Sequence, residues 1–269
     1  ALRRASLDTR RTQDPGGIDA CAIENMDRRS LQITVEDGAA AKHHVVLPAE
    51  AEALLLVQLE LPAETTADDA YDDVGAALDD DAPDTPLVRL CRLLADFGLL
   101  EGTELALPGD TSRIGDLIGF REAVPAGVNY RVGRAQATID PRIGKTAADM
   151  VVPFERFAEM NTIYREGFES RGLDYAIWGH ISDGNVHPNV IPRSYEDVRK
   201  GREAILEFGR EVARLGGCPL AEHGVGRNSV KQELLRQLYA EAGIEQMRMV
   251  KAILDPGWKL APGVIFSPT

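Results

Sequence analysis

Residues 178–189 read WGHISDGNVHPN, and the reading of this stretch decides the fold. Asp183-Gly184 is a strong short-hairpin signal, because both central residues of a tight primed turn need positive φ. With those two as the loop, Ser182 pairs with Asn185, Ile181 with Val186, and His180 with His187. Two imidazoles then stand opposite each other on one face, with Cβ atoms roughly 5 Å apart. That separation suits two nitrogen ligands on one metal ion. Downstream, Glu222 can supply an oxygen ligand, and His223 beside it stays free for proton transfer. The plain alternative is a cross-strand histidine pair that only stacks or hydrogen-bonds.

The elements around the hairpin set the class. Residues 1–20 are polar, with a turn at 14–17, and read as a linker remnant. Residues 21–269 read as one domain. Helical spacing covers 25–36, 67–78, 87–97, 110–123 with Asp110 or Thr111 as N-cap, and 154–171. It returns over 195–215, ended by Gly216-Gly217, and over 229–239 and 244–254. Strand signals fall at 53–61, read as buried, at 104–107 and at 150–152. The hairpin spans 175–191, and the tail after Asp255-Pro256 is irregular. Long helices between short strands, with an adjacent-strand hairpin, predict an α+β fold: a largely antiparallel sheet with helices on one face.

Composition bounds the function. The 269 residues carry 43 acidic and 30 basic side chains, a net charge of −13. That disfavours nucleic acid and anionic membranes, which select basic patches. The aspartates between Asp68 and Asp84 lack the ligand and glycine spacing of a calcium loop and read as a solvated helix face. Cys21, Cys91 and Cys218 form no Cys-x-x-Cys pair, which suits a reducing compartment, and Cys91 sits in an apolar helical pattern. No apolar run reaches membrane-spanning length, and Arg3, Arg4, Arg10 and Arg11 have no apolar stretch behind them to read as a signal peptide, so a cytoplasmic location is expected.

The hairpin also resembles the His-x-x-Asp-Gly-Asn-x-His segment of FAD-linked oxidases and dehydrogenases of D-2-hydroxy acids, the D-lactate dehydrogenase and glycolate oxidase family. GGCPLAEHGVGR at 216–227 is similar to that family's Gly-Glu-His-Gly-x-Gly-Arg segment. The run from Asp255-Pro256-Gly257 through Leu260-Ala261-Pro262-Gly263 to Phe266 resembles its terminal pattern. The likeness is to the C-terminal, substrate-side domain, which implies a ferredoxin-like cap with a C-terminal helical segment. Nothing before residue 150 resembles the family's N-terminal flavin domain. The chain is therefore expected to be the substrate- and metal-binding domain of a flavoprotein, without its FAD domain and inactive alone. Ala221 and Ala261 stand where the family usually has Gly and Asn, and that Asn helps to hold flavin.

The resemblance implies roles for these residues. His180, His187 and Glu222 would hold a divalent metal (zinc, manganese or iron by ligand type), which acidifies the hydroxyl of a 2-hydroxy acid. His223 would be the general base. Asn189, two residues past His187, could hydrogen-bond substrate. Trp178, opposite Asn189, either walls the pocket or fills the core. Arg121 matches a carboxylate-binding Arg, against a surface pair with Asp116 or Glu122. Lys145 is the nearest candidate to a substrate Lys whose position here is Ala147. Arg227 could meet flavin phosphate or substrate, against an ion pair at a helix start. The implied partners are a small 2-hydroxy acid and an electron acceptor, with self-association left open. Two other classes compete: a metal-dependent hydrolase using the same ligands on water, and a non-catalytic binding domain.

Overall fold

The computed structural model describes residues 1–14 and 17–266. Pro15 and Gly16, within the expected 14–17 turn, lie outside the described residues. In chain order the elements are α1 (Leu2–Thr12), β1 (Asp19–Asp27), α2 (Arg28–Glu36), α3 (Ala39–Lys42), β2 (Ala53–Glu60), α4 (Ala67–Ala76) and α5 (Pro86–Asp96). There follow α6 (Thr111–Thr138), β3 (Thr146–Ala147), β4 (Met150–Val151), α7 (Phe157–Glu169), β5 (Tyr175–His180), β6 (Asn185–Val190), α8 (Tyr195–Arg214) and α9 (Ser229–Leu254). The class is α+β, as the sequence predicts. Among the described residues, no helix is long and apolar enough to cross a membrane.

The chain forms two compact units, one of Ala1–Glu24 with Thr34–Ala123, the other of Asn25–Ile33 with Val124–Thr269. In the first, residues 2–12 are helical where a linker is expected. Their anchor is Ser6, whose hydroxyl donates to Ala20 O at 3.1 Å and accepts the Ala20 N–H at 3.2 Å. Strand β2 is β1's neighbour and alternates between exposed and half-buried positions, so it is not the buried strand expected. Helix α4 opens on a capping box between Thr66 and Asp69. Helix α5 opens on Thr85, with Pro86 in its first turn. Ala70, Ala77, Leu87, Val88 and Cys91 are buried between them. No strand forms at 104–107.

Helix α6 runs past the expected end at Ala123 and through Pro125 to Thr138. A proline inside a helix removes one hydrogen bond and costs about 3 kcal/mol. Val124, Val128, Val132 and Ala135 recur at spacings of three and four and are all buried, and that burial offsets the cost.

The second unit carries the hairpin, in a register that differs from the expected one. Trp178, not His180, lies opposite His187, and Ala176 opposite Asn189. A 3₁₀ turn over Ile181–Asp183 lengthens the loop, and only Gly184 of the Asp-Gly pair has positive φ (76°). A Cβ at Gly184 would run into the Val152 carbonyl oxygen, so the approach of β4 also demands glycine. The slip is two residues, and strand side chains alternate with period two, so both histidines keep their shared face. Strands β3 and β4 pair antiparallel with β6. Helix α8 lies against β3, β4 and β6. Tyr164, Phe168 and Phe208 meet edge-on in the core beneath, with ring centroids about 5 Å apart. Helix α9 breaks at Ala240 (φ 55°), which separates the two helices read from the sequence.

Candidate metal centre

Titratable side chains from four segments of the second unit meet at one place. Asp149 sits between β3 and β4, His180 ends β5, His187 is central in β6, and Glu222 and His223 follow α8. Backbone pairing delivers the last two. Val151 N–H donates to Cys218 O at 2.9 Å, and Cys218 N–H donates to Val151 O at 2.8 Å. Ala221 N–H then donates to Asp149 O at 3.1 Å. The N–H groups of Glu222 and His223 both donate to Asp149 Oδ2, at 3.0 and 2.6 Å.

Three imidazoles surround one carboxylate oxygen. The Nε2 atoms of His223, His187 and His180 lie 2.9, 3.1 and 3.7 Å from Glu222 Oε1. Ring centroids are 5.0 Å apart for His187 and His223, and 5.7 Å for His180 and His187. Burial pushes the His187 imidazole down to about 4, while the Asp149 and Glu222 carboxylates act against that shift. His187 is therefore neutral at pH 7, the state that ligates a metal.

Two observations make the group fit a divalent ion. One ligand atom each from Asp149, His187, Glu222 and His223 lie within 4.8 Å of one another, and His180 Nε2 stands 3.7 Å from the same Glu222 oxygen. His187 Nδ1 and Asp149 Oδ1, 3.8 Å apart, are buried and have no hydrogen-bond partner among the described residues. Neutral imidazole nitrogens with carboxylate oxygens are a donor set for zinc, manganese or iron.

Residues 99–265 match the family described as FAD linked oxidases, C-terminal domain. The chain belongs to this family. It is 30% identical over 121 residues to the glycolate oxidase subunit GlcD of Bacillus subtilis, covering 44% of this chain and 25% of that protein. It is 35% identical over 121 residues to the D-lactate dehydrogenase of Archaeoglobus fulgidus, 44% of this chain and 26% of that one. A probable mitochondrial D-lactate dehydrogenase of Danio rerio is 27% identical over 137 residues, 50% of this chain and 27% of that one. The chain thus matches about a quarter of the length of these curated relatives. Members of this family are FAD-linked oxidoreductases.

Within this FAD-linked oxidase domain the other expected residues are placed as follows. Asn185 and Asn189 flank His187 on its own face of β6, are buried, and leave their Oδ1 atoms without a hydrogen-bond donor among the described residues. Asn189 Nδ2 donates to His187 O at 2.8 Å. Trp178 is buried, with its ring 6.5 Å from that of His187. Arg121 belongs to the first unit, where Nε and Nη2 donate to Glu24 Oε2 at 3.1 and 2.8 Å. Arg227 Nε donates to Pro262 O at 2.8 Å, which fixes the Leu-Ala-Pro-Gly tail to the 224–227 loop.

Asp149 is the residue that sequence reading missed. Its signal was a lone carboxylate at the head of the apolar run Met150-Val151-Val152, a position that needs a partner if buried.

Proposed function

We propose that this chain is the substrate- and metal-binding domain of a flavin-dependent D-2-hydroxy acid oxidoreductase, with the flavin seated on a separate domain. The convergence of His180, His187 and His223 on Glu222 Oε1 carries the reading. The relatives' names support the substrate class, and the matching family's description as the C-terminal domain of FAD linked oxidases supports a flavin seated on another domain.

In this reading His180, His187 and Glu222 hold the ion. Bound there, it would supply Lewis acidity to a coordinated hydroxyl. His223 has its side chain 60% exposed and its ring nitrogen tied to Glu222, so it can reach an incoming substrate. It would take the hydroxyl proton while the carbon bearing that hydroxyl gives up its hydride to the flavin of the separate domain, leaving a 2-keto acid. Asn189 has Nδ2 committed to the backbone, which leaves Oδ1 to accept a hydrogen bond from substrate. Asp149 holds the Glu222–His223 backbone in register.

The test is the enzyme from its full reading frame, assayed with D- and L-2-hydroxy acids and an artificial electron acceptor. D-selective turnover that chelation abolishes and added metal restores is the expected result. Turnover indifferent to chelation, or none with any D-2-hydroxy acid, overturns the reading.

A further inference from the structure

The second unit also holds a cavity of about 220 Å³ whose lining includes Lys145, Arg202 and Arg227, with Thr146, Asn228 and Ser229, and no carboxylate. Among the described residues, none of the three cations has an acidic partner. Lys145 Nζ donates, among those residues, only to the neutral Asn129 Oδ1, at 2.7 Å. Burial pushes its pKa down, and no carboxylate acts against that. Arg227 meets a carbonyl, Pro262 O. Arg202 has no ion pair or hydrogen bond among the described residues.

This is unusual for a chain with 43 acidic and 30 basic residues. On the same helix as Arg202, Arg199 pairs with Glu196 and Glu203, and Arg214 with Glu211. Lys145 and Arg227 are exposed and Arg202 is half-buried. Like charges gathered round a concavity repel, and a bound anion relieves that repulsion. The start of α9, capped by Asn228, adds a favourable dipole and the Ser229 hydroxyl at the same wall.

We infer that this cavity binds a phosphoryl group, through Lys145, Arg202 and Arg227. Three cations match a dianion better than a monovalent carboxylate, and guanidinium forks bind phosphate oxygens in pairs. The inference does not rest on the metal site. The group could be free phosphate or the diphosphate of a nucleotide, and the two are told apart by measurement.

The experiment is calorimetric titration of the whole chain with orthophosphate and with ADP, in excess EDTA at low ionic strength, with D-lactate as the monovalent control. Saturable binding of phosphate or ADP, weakening as chloride is added, is expected, with D-lactate at least roughly tenfold weaker. Tighter binding of ADP assigns the site to a nucleotide, and equal binding assigns it to free phosphate. Arg202→Gln should weaken binding roughly tenfold, and Arg202→Lys should recover part of that. Circular dichroism and urea midpoints check that both variants fold. His187→Ala should bind as the parent does. Absent saturable binding, binding unchanged in Arg202→Gln, or binding lost in His187→Ala overturns the inference.

Discussion

Asp149 accepts the His223 N–H on Oδ2 at 2.6 Å, with its carboxylate 98% shielded from solvent. The same oxygen takes the Glu222 N–H, so one buried group sets the positions of a ligand and of the base. Asp149→Ala would leave two N–H groups short of an acceptor, at a cost of about 1–3 kcal/mol each where they stay buried. Metal affinity should fall about 10- to 100-fold, the usual effect of losing an outer partner of a ligand. Asp149→Asn keeps an acceptor oxygen and should recover most of the stability. Urea unfolding with EDTA and metal titration separate the two effects, and an unchanged metal affinity in the alanine variant removes Asp149 from the site.

The chain should take up about one divalent ion, and His187→Ala and Glu222→Gln should abolish this. His223→Ala should keep most of the metal. In the full-length enzyme it should lose turnover by about 10²- to 10⁴-fold, as removal of a general base does. Elemental analysis after dialysis, beside steady-state rates, decides between the roles. Metal lost in step with activity would make His223 a ligand, as its 2.9 Å approach to Glu222 allows.

The histidine face was legible in the sequence because it depends on strand parity alone. An error of two residues in register leaves His180 and His187 together, and an error of one would have parted them. The local sequence marks Asp149 as a carboxylate heading an apolar run but not whom it meets, because its partners lie 73 and 74 residues away, joined through the Val151–Cys218 pairing that no local pattern encodes. The α6 boundary failed differently. Pro125 is a strong local stop, and burial of Val124, Val128 and Val132 overrides it. Helix α1 was hidden because most of its side chains are polar and its one buried residue is Ser6.

Asp27 gives the fold a pH signature. Burial raises its carboxyl to about 6, although Ser30 N–H, Ser30 Oγ–H and Ile177 N–H all donate to it. The folded chain therefore holds the proton more tightly than the unfolded one, whose carboxyl titrates near 3.8. Stability from this group falls as pH rises from about 4 to about 6, and the full cost, about 3 kcal/mol, persists above that. Asp27→Asn should flatten the slope relative to the parent, measured as urea unfolding at pH 4 and pH 6.5 with EDTA present. Parallel profiles for the two proteins would mean that Asp27 titrates normally.

Arg121 is the residue whose two readings can be separated by stability alone. Its guanidinium places Nε and Nη2 on Glu24 Oε2, with the side chains only 22% and 12% exposed. A pair this shielded is screened far less than a surface pair, for which about 0–1 kcal/mol is usual. A double-mutant cycle of Arg121→Met and Glu24→Gln should therefore give a coupling of about 1–3 kcal/mol. Arg121→Lys should keep the charge, lose one of the two hydrogen bonds and fall between parent and Arg121→Met. A coupling near zero would mean that the pair does not hold in solution, and Arg121 would then be available to a substrate carboxylate.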